Sequence, residues 1–174
     1  MTSSAFVSLV PLSLEWHVDA LQQLYRATPT YWEMYNFPAE PAGQAAHDLR
    51  TAAETPGRTL LGIVHREDAT ADGAELVGLI DFRLHWPSEQ VVYLGMVMVA
   101  EPYQRQGIGS QAWRLLGPWL AQQAHMQKAR VAVEQFNPNA LQFFESLGFV
   151  LTGESHRIKV GDKFVRLLYL EVTL

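Results

Sequence analysis

Nine consecutive residues without a charge, Val91 to Val99, run through Pro102 into a turn holding Gly107 and Gly109, and a helical pattern begins at once. No other stretch limits the fold as much. An uncharged run of this length suits a strand covered on both faces and therefore central in a sheet. After the turn, Ile108, Ala112, Leu115, Leu116, Trp119 and Leu120 recur with the period of an amphipathic helix. Pro118 lies inside that stripe, so a kink or break is expected there, because proline lacks an amide hydrogen and crowds the preceding turn.

The remaining elements fall around this step. Phe6 to Val10 reads as a first strand, and Ser13 as the cap of a helix bearing Leu14, Val18, Leu21 and Leu24. Tyr31, Trp32, Tyr35 and Phe37 fall in an aromatic-rich loop before a second helix from about Ala42 to Ala53. Thr59 to His65 and Glu75 to His85 read as strands, joined at Asp72-Gly73 into an antiparallel hairpin. Arg130 to Val133 is a short strand. Asn137 then caps a helix that Pro138 opens, with Ala140, Phe143, Phe144 and Leu147 as its buried face and Gly148 as its end. Phe149 to Leu174 divides at Gly161-Asp162 into a two-residue hairpin. With no repeats or linkers, residues 1–174 read as a single mixed α/β domain.

Composition narrows the functional classes. A length of 174 residues with 48% hydrophobic content supports one compact core. The absence of cysteine excludes disulfides, thiolate metal sites and cysteine nucleophiles, in keeping with a reducing compartment. Met1 to Pro11 lacks the basic start and long apolar run of an export signal, and no segment approaches the roughly 20 apolar residues of a membrane span. A cytoplasmic location without a membrane partner is therefore expected. A net charge of -5 with scattered lysines and arginines argues against nucleic acid and is compatible with a cationic amine. His17, His47, His65, His85, His125 and His156 show no metal-binding spacing, so no metal is expected.

The chemistry is concentrated where the uncharged strand meets the helix. A helix start presents unpaired amides and a partial positive charge, which together suit a phosphate. Glycines at 107 and 109 let a pyrophosphate approach the main chain, while Gln104, Arg105 and Ser110 add polar groups at the rim. The bland reading is a plain glycine-containing turn. A second reading is the dinucleotide fingerprint, since Gly107-Ile108-Gly109-Ser110-Gln111-Ala112 fits G-x-G-x-x-G/A and Glu134 lies near the ribose-binding distance. That fold, however, sets its fingerprint after the first strand of a parallel series, and here roughly half the chain precedes it.

Gln104-x-x-Gly107-x-Gly109 resembles the acyl-CoA pyrophosphate motif Q/R-x-x-G-x-G/A of the GNAT N-acyltransferases. Asn137-Pro138-Asn139-Ala140, followed by Phe143-Phe144-Glu145-Ser146-Leu147-Gly148-Phe149, is similar to the family's N-x-x-A-x-x-F-Y-x-x-x-G-F segment. The two motifs cover Val91 to Gly153, and the N-terminal half matches only in layout. The resemblance implies a central mixed, mostly antiparallel sheet with helices on both faces. It implies acetyl-CoA as co-substrate and a small-molecule or peptide amine as acceptor, handled by a monomer or homodimer. Gln104, Arg105, Gln106, Gly107, Ile108, Gly109 and Ser110 would then hold the pyrophosphate. Main-chain amides of Val97, Met98 and Val99 would bind the pantetheine arm, with Asn137 and Phe144 as further contacts.

Two departures from the family pattern bear on catalysis. The strand offers no carboxylate as base, which leaves Asp81, sharing a strand face with Arg83 and His85, and Glu134, at the end of the next strand. The bland reading of Asp81 is an ion pair with Arg83 or surface solvation, that of Glu134 is similar, and Tyr93 in an apolar strand reads first as core. Phe144 stands where the family usually carries a tyrosine that protonates the leaving thiolate; phenylalanine cannot do so, although a thiolate is a fair leaving group unaided. Asn137 reads first as a helix cap, and the aromatic residues 31–37 either cover the acceptor amine or pack over the sheet. Two functions follow: N-acetyl transfer, or acyl-CoA binding and sensing with little turnover.

Overall fold

A computed structural model describes residues 6–66 and 73–174. In chain order the elements are β1 (Phe6–Pro11), α1 (Val18–Arg26), α2 (Pro29–Met34), α3 (Gln44–Glu54), β2 (Arg58–Arg66), β3 (Glu75–Leu84) and β4 (Val91–Val99). After a 3-10 turn at Glu101–Tyr103 come α4 (Ile108–Gln122), β5 (Lys128–Glu134), α5 (Pro138–Ser146), β6 (Val150–Val160) and β7 (Lys163–Thr173). The strands form one seven-stranded sheet in the order β1-β2-β3-β4-β5-β7-β6, which puts β4 at its centre as its apolar character predicts. β4 and β5 run parallel; β1 with β2, β5 with β7, and β6 with β7 run antiparallel. The fold of the described residues is thus a mixed α/β sheet with five α-helices.

The chain forms two compact units, and β3, β4 and α4 each contribute to both. The first comprises residues 1–81 and 96–116. Its core joins Leu21, Leu24 and Tyr25 of α1, Trp32 of α2, and Ala45, Leu49 and Ala52 of α3 to Leu60, Leu79 and Met98 of the strands. Burying each large apolar side chain contributes about 1.5–3 kcal/mol, so this cluster holds the helices on the sheet.

The second unit comprises residues 82–95 and 117–174. Lys128↔Thr173 through Glu134↔Leu167 pairs β5 with β7, and β7 turns through Gly161, with φ of +59°, to β6. Val160↔Lys163 closes the expected two-residue hairpin. Phe144 of α5 is buried with its ring edge-on to Phe149 at 5.3 Å. Gly148, with φ of +92°, ends α5 as anticipated.

Several expectations are corrected. The helix expected from Ser13 begins at Val18 instead: the Ser13 carbonyl accepts from the His17 amide at 3.0 Å, and His17 Nδ1 accepts from the Ser13 amide at 2.9 Å, closing a turn that leaves Leu14 and Trp16 exposed. The aromatic loop contains a helix, α2, so three helices rather than two follow β1. The strand covered on both faces is β3, buried from Val77 to Phe82; β4 alternates, with Val92, Leu94 and Met98 buried, Val91, Tyr93, Val97 and Val99 half-buried and Gly95 exposed. A uniformly apolar run hides such an alternation.

Helix α4 passes through Pro118 without ending, because Leu116 and Leu120 stay buried on either side; Leu115 and Trp119, assigned to the buried stripe, are exposed. On α5, Ala140, Phe143 and Leu147 are only half-buried. Asp72 of the expected turn pair lies outside the described residues.

Candidate active site

At the end of β4 the chain turns sharply and starts α4. The Ala100 amide donates to Val77 O at 2.8 Å and the Glu101 amide to Ala27 O at 2.9 Å, which fixes the strand end before the turn. The side chain of Gln104 folds back so that Nε2 donates to Val99 O at 2.8 Å, and Gln106 Nε2 donates to Pro102 O at 3.1 Å. Arg105 and Gly107 take left-handed backbone angles, φ of +63° and +76°. Residues 104–107 are exposed, whereas Ile108 is buried and anchors the helix start.

Gly107 precedes the helix, its carbonyl accepting from the Gln111 amide at 3.0 Å. Having no side chain, it offers no capping oxygen to the amides of Ile108, Gly109 and Ser110, which have no partner within the helix. A Cβ built on Gly107 would meet nothing within 4 Å, so the space beside the residue that precedes the helix is open. Amide donors, a helix start and open space together fit an anionic diphosphate.

The strand leading to this turn is held as closely. A Cβ on Gly78 would come within 2.6 Å of the Met98 carbonyl oxygen, so only glycine allows β3 and β4 to approach there. Met98 is buried, and its Sδ lies 3.3 Å from Thr28 Oγ1. The parallel ladder runs from Val91↔Lys128 to Leu94↔Val131 and ends there, although β4 continues to Val99 and β5 to Glu134.

Asp81 is buried near the end of β3, and its partner is Arg58 rather than the expected Arg83: Nε donates to Oδ1 at 3.0 Å and Nη2 to Oδ2 at 2.7 Å. The hydrogen bond to Asp81 raises the Arg58 pKa. Arg83 instead lies over the Trp86 ring at 5.6 Å. Beside this pair, the buried Tyr25 hydroxyl donates to Asp48 Oδ2 at 2.6 Å, and Gln44 Nε2 donates to Asp48 Oδ1 at 2.8 Å. Burial, then the bond to Asp48, pushes the Tyr25 hydroxyl far above the usual phenol range, so it stays a neutral donor. Neither Arg58 nor Asp48 carries a sequence signal, since both act through contacts distant in the chain.

The other candidates belong to the second unit. Glu134, the last residue of β5, is 9% exposed, and its backbone carbonyl accepts from the Asn137 amide at 2.9 Å. Asn137 Oδ1 accepts from the Ala140 amide at 3.2 Å, so the residue is a helix cap as read from sequence. Phe144 packs among aromatic rings, edge-on to Phe143 at 5.1 Å as well as to Phe149. Tyr93 meets Trp86 edge-on at 4.8 Å, and burial is the main cause of its raised pKa. Residues 97–99 and 104–110 thus form one continuous strand-turn-helix, whereas Glu134, Asn137 and Phe144 form a second such step.

His85 lies just past the end of β3 in a left-handed conformation, and its Nδ1 lies 3.0 Å from a Glu89 carboxylate oxygen, so it does not share the strand alternation expected with Asp81. Among the described residues no group of three or more His, Asp or Glu could hold a metal ion, and no helix is long and apolar enough to cross a membrane.

Comparison with known proteins bears on the fold and the family. The chain superposes on an acetyltransferase from Thermus thermophilus with a TM-score of 0.75 at 22% identity, covering 97% of each chain. A GCN5-related N-acetyltransferase from Brucella melitensis gives 0.77 at 16% identity, over 97% of this chain and 76% of that one. Spermidine N-acetyltransferase from Vibrio cholerae, in complex with CoA and spermine, gives 0.75 at 12% identity, over 96% and 95%. No curated protein matches. Residues 18–149 match the family model for the acetyltransferase (GNAT) family, a span that includes the whole strand-turn-helix at 97–110 and the second motif through Phe149. The chain therefore belongs to the GNAT family of acetyltransferases.

Proposed function

We propose that residues 1–174 act as one domain that transfers an acetyl group from acetyl-CoA to a primary amine of a small molecule or peptide, by direct attack in a ternary complex. The observation that carries this reading is the exposed turn at 104–107, left-handed at Arg105 and Gly107, opening onto the first amides of α4. Acetyl-CoA supplies the acetyl group already activated as a thioester. The amides of Ile108, Gly109 and Ser110 hold its diphosphate, and Arg105 adds positive charge at the rim. Gln104 and Gln106 act on the turn itself, through their bonds to Val99 and Pro102. Val97, Met98 and Val99 lie beyond the end of the parallel ladder, which supports their main chain as the pantetheine contact. The roles of Asn137 and Phe144 toward coenzyme A rest on the family resemblance.

The acceptor nitrogen must be neutral when it bonds to the thioester carbon; the C–S bond then breaks, the thiolate leaves and the nitrogen sheds a proton. Both Asp81 oxygens lie in the Arg58 fork, so we assign the proton to Glu134. Without a hydroxyl, Phe144 leaves the thiolate to depart unassisted. The rings of α2 cover the acceptor amine, since cationic heads favour aromatic faces. That the Vibrio cholerae neighbour is a spermidine N-acetyltransferase supports an amine acceptor. Membership of an acetyltransferase family favours turnover over mere sensing.

Calorimetric titration with acetyl-CoA, followed by thiol release over a panel of polyamines, amino sugars and peptide N-termini, tests the reading. Binding plus release with at least one amine is expected; no heat with millimolar acetyl-CoA would end it. For the base, Glu134→Gln should abolish the acidic limb of the kcat/KM pH profile, whereas Asp81→Asn should keep it.

A further inference from the structure

Helix α2 is six residues long, too short to persist alone, and its own cap position does not serve it. Thr28 makes no side-chain capping bond; its Oγ1 donates instead to Tyr25 O at 2.9 Å. The acceptor for the helix start comes from far along the chain. Glu101 Oε1 accepts from the Thr30 amide at 3.0 Å and from Thr30 Oγ1 at 2.6 Å, across a separation of 71 residues. The Glu101 main chain also grips the preceding corner, its amide donating to Ala27 O at 2.9 Å. Three residues later stands Gln104, the first residue of the exposed turn.

We propose that Glu101 is a positioning residue that couples the coenzyme-binding turn to helix α2, so that coenzyme A bound at the turn orders the aromatic helix over the acceptor. The inference rests on the function proposed above. Its physical basis is that one residue serves two elements: Glu101 opens the 3-10 turn that leads to Gln104 and also caps the helix bearing Tyr31 and Trp32. Trp32 is buried against Tyr25, ring centroids 5.1 Å apart, and its Nε1 donates to Tyr25 O at 2.8 Å, so α2 has a firm base on α1. What Glu101 adds is the register of the first turn. A ligand that fixes the turn thereby fixes the cap, whereas a cap with only a structural role would stabilise α2 whether or not the turn is filled.

Hydrogen exchange by mass spectrometry, with and without coenzyme A, separates these cases. In the wild type, coenzyme A should slow exchange in peptides covering 104–111 and also in those covering 29–35. Glu101→Ala should keep the first protection and lose the second; its KM for the acceptor should rise at least tenfold, with KM for acetyl-CoA within threefold of wild type. Glu101→Gln, which retains an acceptor oxygen, should restore most of the coupling. Should the alanine variant fail to fold, Thr30→Ala, which removes one of the two donors, should show a partial loss. Unchanged coupling at 29–35 in Glu101→Ala, or in Thr30→Ala where that variant replaces it, would overturn the inference while leaving the coenzyme reading intact. Absence of protection at 104–111 in the wild type would overturn both.

Discussion

Two strands of this molecule, β4 and β5, run parallel and each leads into a helix, yet the two junctions are built in opposite ways. After β5 the chain closes its own helix start: Asn137 accepts from the Ala140 amide, and Pro138 takes the first helical position, where an amide hydrogen would have no partner. After β4 the corresponding place is Gly107, with no side chain, a left-handed angle and open space in front. The first junction satisfies one of its amides with its own cap side chain, and the second has no side chain at the corresponding place. The difference teaches that two strand-to-helix steps of one sheet can differ in whether the residue before the helix carries a capping side chain, and the bare step is the one the proposed diphosphate site requires.

Substitutions at the two caps should pull in different directions. Gly107→Val places a branched side chain at an angle it avoids and fills the space before the amides, so acetyl-CoA affinity measured by calorimetry should fall about a hundredfold, equivalent to roughly 2.7 kcal/mol. A tenfold loss or less would mean that the open junction is not where the diphosphate sits. Next in size is the support beneath it. Gly78→Ala sets a Cβ against the Met98 carbonyl and the Ile63 side chain, at 2.6 and 2.8 Å, and should cost about 2 kcal/mol in urea unfolding.

Asn137→Ala removes the acceptor for the Ala140 amide and should cost about 1 kcal/mol of stability in urea unfolding, as suits a junction closed by its own cap. The smallest effect concerns Glu101. The Thr30 hydroxyl, then the Thr30 amide, hold its carboxyl below the usual range. Its contribution to stability is therefore complete above about pH 4.3 and lost as pH falls through the lowered value. The difference in urea midpoint between wild type and Glu101→Gln should shrink over that acidic window and stay constant above it.

Both junctions were legible in the sequence, for a local reason: glycine at 107 and Asn-Pro at 137–138 act on their immediate neighbours, and flanking periodicity marks strand and helix. The same logic would have found α2, because Thr28-Pro29 repeats the cap-then-proline pattern of Asn137-Pro138; the cluster of aromatic residues from Tyr31 to Phe37 made the segment read as a loop. Ser13 misled in the opposite sense. A serine before an apolar residue suits a cap, but the His17 ring takes the Ser13 amide and delays the helix to Val18. The burial of β4 could not be read at all, since every residue on both faces is uncharged.

What the sequence determined by itself is the order of the strands, the two motifs and the glycine turn between β4 and α4, all set by residues within a few positions of one another. The tertiary structure decided the rest. It gave Asp81 to Arg58, 23 residues earlier, and α2 to Glu101, 71 residues later, and it chose which face of β4 is covered. The physical reason is range: caps and periodicity act through neighbouring backbone, whereas ion pairs and burial depend on which elements the folded chain brings together.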